Sequence, residues 1–446
     1  MSLRRVWMIL LPLGLLLGLI AAWLWRAPRL LAVWPAPNST VPAGAPLRLT
    51  FSRPMRSAAL ISRLSLSPAQ QGRWEEAGNT LVFTPDEPWP GGVTVTVRLA
   101  GGAWSADSLP APLLSGRSWS FAIQKPRLLY LWPANGRADL YAIDPLTGSR
   151  QQLTNVGGVR DFSLSADGLT VYFSADNPSG GADLFRLSRL DGALATLLEC
   201  GVAVCQAVCA SPDGRWLAYE RSAADEPTRV WLTPLSGGPP VLAGNPTHQT
   251  FLPSWSPGNQ LAFYDLTSSA FVILEPQSGA TVSFANETGA AGDWSADGSW
   301  YVAPEISLLP AAGGEPLAIS HLMAYDPARR NTLDLTQSAN SEDTAPAFSP
   351  DGQWLAFARK SLDAERWTPG RQVWVMRADG KDPVQLTNAP FYNHYDFAWS
   401  TESRQLAFVR SNLDNPTESL ELWLMNADGS QAVRLAVGAY APCWAP

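Results

Sequence analysis

The stretch Ala347–Arg359, Ala-Phe-Ser-Pro-Asp-Gly-Gln-Trp-Leu-Ala-Phe-Ala-Arg, decides the fold. It reads as strand, tight turn, strand. Asp351-Gly352 is a hairpin signal, because glycine reaches the positive φ that a two-residue turn needs. Trp354, Ala356 and Ala358 fall on one face of the second strand, Leu355 and Phe357 on the other. The pattern recurs along the chain. Ser165-Ala166-Asp167-Gly168 precedes Thr170–Phe173, and Ser211-Pro212-Asp213-Gly214 precedes Trp216–Tyr219. Ser256-Pro257-Gly258-Asn259 precedes Leu261–Tyr264, and Ser295-Ala296-Asp297-Gly298 precedes Trp300–Val302. Ser400-Thr401-Glu402-Ser403 is a worn copy before Leu406–Val409. Self-similarity at about 40 to 50 residues, in strand-rich units, indicates propeller blades.

From Arg127 onward each unit divides into an inner strand a, then b, c and d. The b strands, from Leu128–Trp132 to Leu406–Arg410, number seven, as do the c strands from Asp139–Ile143 to Glu421–Met425. That gives about 46 residues per blade. Six or eight blades also fit, since the fifth unit is irregular. The chain enters at b and leaves at a, Tyr440–Ala445, so its last strand is expected to complete the first blade and remove the free sheet edges.

Composition agrees with this reading. Pro (38), Gly (35) and Trp (20) are all high, as many short strands with large aromatics between sheets require. The formal charge is −7 without a long basic run, which disfavours nucleic-acid binding.

Ahead of the repeats lie two further regions. Val6–Trp25 is an uncharged apolar run of about 20 residues, the length of a membrane span. Arg4 and Arg5 precede it, so the N-terminus is expected in the cytoplasm and the rest outside. A cleaved signal peptide is the rival; the run ends in Trp23-Leu24-Trp25-Arg26 without a small-x-small site or lipobox cysteine. Gly14 and Gly18 form a G-x-x-x-G that could pair two such helices. Residues 1–31 are thus read as cytoplasmic stub and anchor. In 32–124, Leu47–Phe51, Leu64–Leu66, Thr80–Phe83, Val93–Val97 and Trp119–Ile123 alternate apolar and polar, which suggests a small β-sandwich. Val41-Pro42-Ala43-Gly44-Ala45-Pro46, Ser52-Arg53-Pro54-Met55 and Thr80-Leu81-Val82-Phe83-Thr84-Pro85 resemble the bacterial Ig-like domains of surface and S-layer-type proteins. Such modules are usually spacers.

Residues 125–446 carry a second resemblance. The Ser-Pro-Asp-Gly turns, the Leu-Ala-Phe strands, Arg377-Ala378-Asp379-Gly380, Asn426-Ala427-Asp428-Gly429 and the Leu-Thr pairs at 153, 335 and 386 are similar to the TolB-like propeller repeats. The resemblance implies a binding platform, often in the bacterial envelope, and no particular reaction. Seven units depart from the six blades of TolB itself, so a role in a Tol–Pal system is not carried over. The expected fold class is therefore all-β: transmembrane helix, Ig-like sandwich, seven-bladed propeller.

Chemistry is sparsely written. There is no Gly-x-Ser-x-Gly elbow, H-E-x-x-H, P-loop or dinucleotide fingerprint. No cofactor or metal is called for: the Asp-Gly turns lack EF-hand spacing and serve as hairpins without a cation. Cys200, Cys205 and Cys209 crowd one turn region. An exported domain could form Cys200–Cys205 or Cys200–Cys209; the alternative is buried free thiols.

Function is expected in the less regular loops of a rigid scaffold. Three b–c connections are long: Pro304–Ser320, Lys360–Arg371 and Ser411–Ser419. The d–a connections Gly244–Gln249, Ser338–Thr344 and Asn388–Tyr395 emerge on the same end. Trp367, Arg371, Glu342, Asp343, Tyr392, Asn393, His394 and His248 are therefore candidates to converge on a funnel mouth. Arginine offers a bidentate fork, and Trp and Tyr offer rigid contact area. The competing reading has Trp367 capping blade packing and Arg371 pairing structurally with Glu342 or Asp343; His321, on a strand, is read as structural. The expected function is extracytoplasmic binding of a protein, peptide or cell-envelope glycan. The alternative is a propeller enzyme acting on glycan or peptide through Glu342 and Asp343, which needs opposed carboxylates.

Overall fold

A computed structural model describes residues 26–309, 316–337 and 340–446. The predicted span at 6–25, with Gly14 and Gly18, lies outside the described residues. Among those described, no helix is long and apolar enough to cross a membrane. The chain divides into two compact units at Lys125/Pro126.

The first unit is a sandwich of two four-stranded sheets. One has the order Leu30–Trp34, Leu47–Phe51, Thr80–Pro85, Gly72–Ala77; the other Thr40–Val41, Arg117–Ile123, Thr94–Leu99, Leu64–Ser67. Period-two alternation sends Leu47, Leu49 and Phe51 from one sheet, and Val95, Val97 and Phe121 from the other, into a single core. Trp89 fills its end, and its indole N–H donates to the Ala45 carbonyl at 2.9 Å. The first strand begins at Leu30, two residues before the boundary read from sequence. The charged strand Gly72–Ala77 is a sheet edge that hydrophobic alternation did not reveal.

The second unit comprises seven four-stranded antiparallel blades among the described residues. Their a strands are Tyr440–Ala445 (blade 1), Val159–Leu164, Val204–Ala210, Thr250–Trp255, Asp293–Trp294, Ser341–Phe348 and Tyr392–Trp399 (blade 7). The b strands, in the same blade order, are Arg127–Trp132, Thr170–Asp176, Trp216–Ala223, Leu261–Asp265, Tyr301–Leu309, Trp354–Ser361 and Gln405–Asn412. The c strands are Asp139–Ile143, Ala182–Ser188, Glu226–Pro234, Ala270–Glu275, Leu317–Asp326, Gln372–Arg377 and Glu421–Asn426. Short d strands form the outer edges. The C-terminal strand pairs with the first b strand, Cys443 opposite Leu129 and Trp444 opposite Leu128, and so closes the ring.

Closure is also visible in the packing. The b strands are buried on both faces, and alternation distributes their side chains to two different cores. Leu355 and Phe357 pack with Val302 and Leu322 of blade 5, whereas Ala356 packs with Trp399 and Phe408 of blade 7. The closing core joins Leu128, Tyr130 and Trp444 of blade 1 to Ala407, Val409 and Leu422 of blade 7. Each fully buried Leu or Phe contributes about 1.5–3 kcal/mol, so the ring is held by the sum of its blade interfaces.

The Ser-Pro-Asp-Gly turn is longer than the two-residue hairpin read from sequence. Residues 350–353 form the connection, closed by the Ser349 N–H donating to the Trp354 carbonyl at 2.9 Å. Asp351 stabilises the longer loop by accepting from the Ser349 hydroxyl at 2.5 Å and from the Gln353 N–H at 3.0 Å. Gly352 takes φ +69°. The same Ser–Asp bond recurs at Ser165–Asp167, Ser211–Asp213 and Ser295–Asp297. A second departure lies in blade 5. Most of the expected connection Pro304–Ser320 is strand, paired from Tyr301–Tyr325 to Leu309–Leu317.

Candidate functional site

Antiparallel order puts the b–c and d–a connections of every blade at one end. In blades 6 and 7 these connections are built around Arg371. Its N–H donates to Asn393 Oδ1 at 3.1 Å, and its guanidinium donates to Glu342 Oε2 at 2.8 Å. Its carbonyl accepts both from the His394 backbone N–H at 3.1 Å and from the imidazole Nδ1–H at 2.7 Å. Gln372, buried beside it, exchanges hydrogen bonds with the backbone of Ala389: Nε2 donates at 3.0 Å and Oε1 accepts at 2.8 Å. Gly370 presses against blade 7 so closely that a Cβ there would lie 2.1 Å from the Tyr392 carbonyl. Only glycine permits that approach.

Seven of the eight candidates thus lie at this end, but most are used internally. His394 is 1% exposed, and its Nε2 has no hydrogen-bond partner among the described residues. Burial pushes its pKa down from 6.5 to about 4, and neighbouring Arg410 acts in the same direction. It is a neutral, positioning imidazole. Glu342 is the structural partner of Arg371. Asp343 is fully buried and held by Arg359 through a fork, Nε to Oδ1 at 2.6 Å and Nη2 to Oδ2 at 2.7 Å. The two carboxylates are therefore committed to different arginines and do not form the opposed pair that the enzyme alternative requires. Tyr392 lies under the Arg410 guanidinium, 4.0 Å from the ring centroid.

Trp367 behaves differently. It is 53% exposed, with Lys360 Nζ 5.3 Å from its ring centroid, and so does not cap blade packing. Phe391, on the facing connection, is equally exposed and was not singled out from sequence. His248 does not join the group. It donates from Nδ1 to Asp265 at 2.6 Å and lines a separate cavity of about 490 Å³ between blades 3 and 4. His321 likewise holds Asp334 at 2.6 Å within blade 5.

A cavity of about 350 Å³ opens at the same end of blade 6, beneath the Lys360–Arg371 connection. Arg366, Thr368, Gln372, Trp374, Asn340, Ser361 and Gln385 line it, together with Arg359 and Ser341. None of these residues is among the candidates read from sequence. Part of the signal was available: an arginine near the end of strand b stacks on a tryptophan of strand c in blade 3 (Arg221–Trp231), blade 6 (Arg359–Trp374) and blade 7 (Arg410–Trp423). Arg366 has no such recurring partner.

Another group of acids serves the inner strands. Ala207, Leu252, Ala345, Asp396 and Ala441 take positive φ at a bulge in five a strands. Asp161 accepts the freed N–H groups of Ala207 and Val208 at 2.7 and 3.0 Å, and Glu220 that of Leu252 at 2.8 Å. Asp293 likewise accepts from Phe348 N–H at 2.7 Å. Desolvation raises these carboxyls, Asp293 to about 6. They link neighbouring blades. No group of His, Cys, Asp and Glu suited to a metal occurs among the described residues. Cys200 and Cys205 form a disulfide; Cys209 stays a half-buried free thiol, pushed up to about 11 by desolvation.

With this geometry in place, likenesses to known proteins can be set beside it. Residues 26–122 match the family described as "Bacterial Ig-like domain". In sequence the chain is 26% identical over 106 residues to "Uncharacterized peptidase YuxL" of Bacillus subtilis (strain 168), a match covering 23% of this chain and 16% of that protein. In structure it is similar to a putative TolB from Agrobacterium tumefaciens, with 18% identity, coverage of 70% of this chain and 90% of that one, and a TM-score of 0.40. TolB from Acinetobacter baumannii gives 12% identity, coverage of 86% and 83%, and a TM-score of 0.46. Residues 26–122 are a bacterial Ig-like domain, and TolB-like β-propellers are among the structural neighbours of the chain.

Proposed function

We propose that this chain is a membrane-tethered extracytoplasmic binding protein, its Ig-like domain a spacer and the b–c/d–a end of blades 6 and 7 its ligand face. The observation that carries the reading is the contrast within that face. Arg371, Gln372, Asn393 and His394 are locked to one another or to backbone, while Trp367, with Lys360 beside it, and Phe391 stay exposed above them. Rigid aromatics on an ordered base lose little entropy on binding, which suits a protein, peptide or glycan partner. The apolar run Val6–Trp25 supports the tether, and the Cys200–Cys205 disulfide supports an oxidising compartment. Commitment of Glu342 and Asp343 to separate arginines favours binding over carboxylate catalysis.

The test compares the protein with a Lys360→Ala/Trp367→Ala variant of equal melting temperature, on a glycan array and in capture from envelope extract. A ligand held by the first and lost by the second supports this face. A ligand held equally by both moves the site elsewhere.

A further inference from the structure

The 350 Å³ cavity of blade 6 differs in charge from the chain around it. The chain carries −7, yet two arginines and no carboxylate line this cavity among the described residues. Asp343 neutralises Arg359. Arg366 makes no ion pair among the described residues, so one guanidinium fork is left for a ligand. The Asn340 amide and the Trp374 indole N–H make no hydrogen bonds among the described residues, nor does Gln385 Oε1, whose amide N–H₂ donates to Thr387. The Ser361 hydroxyl accepts only a long bond from Asp363 N–H, at 3.3 Å. Open donors thus surround one net positive charge, with a few open acceptors and the Trp374 ring beside them. The volume is near the lower end of the roughly 300–1,000 Å³ range of ligand pockets.

We propose that this cavity binds a sugar acid: one polyhydroxylated residue whose carboxylate pairs with Arg366 and whose hydroxyls exchange hydrogen bonds with Asn340, Ser361 and Gln385. The inference rests on the binding face proposed above and names its ligand class. A carboxylate matches the planar fork of arginine in two parallel hydrogen bonds. Sugar hydroxyls both donate and accept, as the unpaired amides require. A purely apolar ligand would strand these polar groups, and a bare anion would leave the amides unmet.

The test titrates the full chain with D-glucuronate, D-glucose and acetate by saturation-transfer NMR and calorimetry. D-glucuronate should bind with a Kd below about 10 mM, at least tenfold tighter than either glucose or acetate. Arg366→Gln, which changes an exposed loop residue, should weaken glucuronate at least tenfold at unchanged melting temperature. Arg366→Lys, which keeps the charge but loses the fork, should fall between. No glucuronate binding at that concentration, equal binding of acetate or glucose, or unchanged binding by Arg366→Gln each overturns the proposal. If Lys360→Ala/Trp367→Ala still abolishes capture of a partner in that case, the face survives and only its ligand class is wrong.

Discussion

Replacing His394 with asparagine should remove a specific pH sensitivity of folding. The imidazole donates from Nδ1 to the Arg371 carbonyl at 2.7 Å and keeps a bare Nε2 in a site closed to water. Protonating Nε2 would bury a charge next to Arg410 without an acceptor. The pKa therefore falls from 6.5 to about 4 in the folded protein. A base with a depressed folded pKa contributes stability above its unfolded pKa, and that contribution is lost as pH falls through the window between the two. Across the whole window the loss is about 3 kcal/mol, and between about pH 7.5 and pH 5 it is about 2 kcal/mol. Asparagine places an amide N–H near Nδ1 and carries no titrating group. Urea unfolding of both proteins at the two pH values isolates the effect, because all other titrating groups cancel in the double difference. The wild type should lose about 2 kcal/mol more than His394→Asn. A double difference within about 0.5 kcal/mol of zero would refute the burial argument.

The remaining predictions probe the ring and its ion pairs. Asp293 shows the opposite pH sign: its folded pKa is raised from 3.8 to about 6, so the wild type loses stability as pH rises through that interval. Asp293→Asn should gain about 3 kcal/mol relative to wild type between about pH 3.5 and pH 7, and a constant difference across that range would contradict the buried placement. Deleting residues 440–446 frees the inner edge of Arg127–Trp132 and removes Trp444 from the closing core. Losing Trp444 alone should cost about 3–5 kcal/mol, and the exposed edge should drive self-association visible by light scattering; an equally stable monomer would show that the ring does not depend on this strand. Arg359→Ala strands Asp343 in the interior and should cost about 3–5 kcal/mol in urea unfolding, much of it recovered when Asp343→Asn is added. No recovery in the double variant would locate the loss in the stacking of Arg359 on Trp374 instead.

The division between what was readable and what was not follows the range of the interactions. Ser-Pro-Asp-Gly turns, alternating b strands and the orphan C-terminal strand are local patterns, and each leads directly to the closed ring. The length of the turn was misread because Asp351 bonds to Ser349 and Gln353, which stabilises a longer loop than glycine alone suggests. The candidate residues Arg371, Glu342, Tyr392, Asn393 and His394 were placed at the correct end by strand order. Their roles depended on which arginine each acid met, and that is set across strands. Asp343 pairs with Arg359 rather than with Arg371, because strand register places the two opposite each other. His248 was grouped by loop type, yet loop type fixes only the end of the ring and not the blade. The bulge-capping acids were invisible for a similar reason: Asp161 is recognised by backbone groups of the next blade, at Ala207 and Val208.

A repeat fold supplies its own internal reference, and the proposed binding face stands out against it. The Arg–Trp stack occurs in blades 3, 6 and 7, and the Ser–Asp turn in blades 2, 3, 5 and 6, so both are accounted for by blade architecture. The b–c connection offers the contrast. In blade 4, Asp265 and Ala270 pair directly and the turn between them is tight. In blade 6 the pairing stops at Arg359–Gln372, and the intervening chain carries Lys360, Arg366 and Trp367 away from the blade. A tight turn suffices to close a blade, so the added length is not required by the ring. Ordering those residues costs conformational entropy of about 1–2 kcal/mol each. The connection is nonetheless anchored, through Gly370 to the Pro390 carbonyl and through Thr368 to Gly370. A segment that is costly to order, not required for closure and held in place by its own bonds is what the proposed binding role would account for. Arg366, which makes no ion pair among the described residues, lies on it.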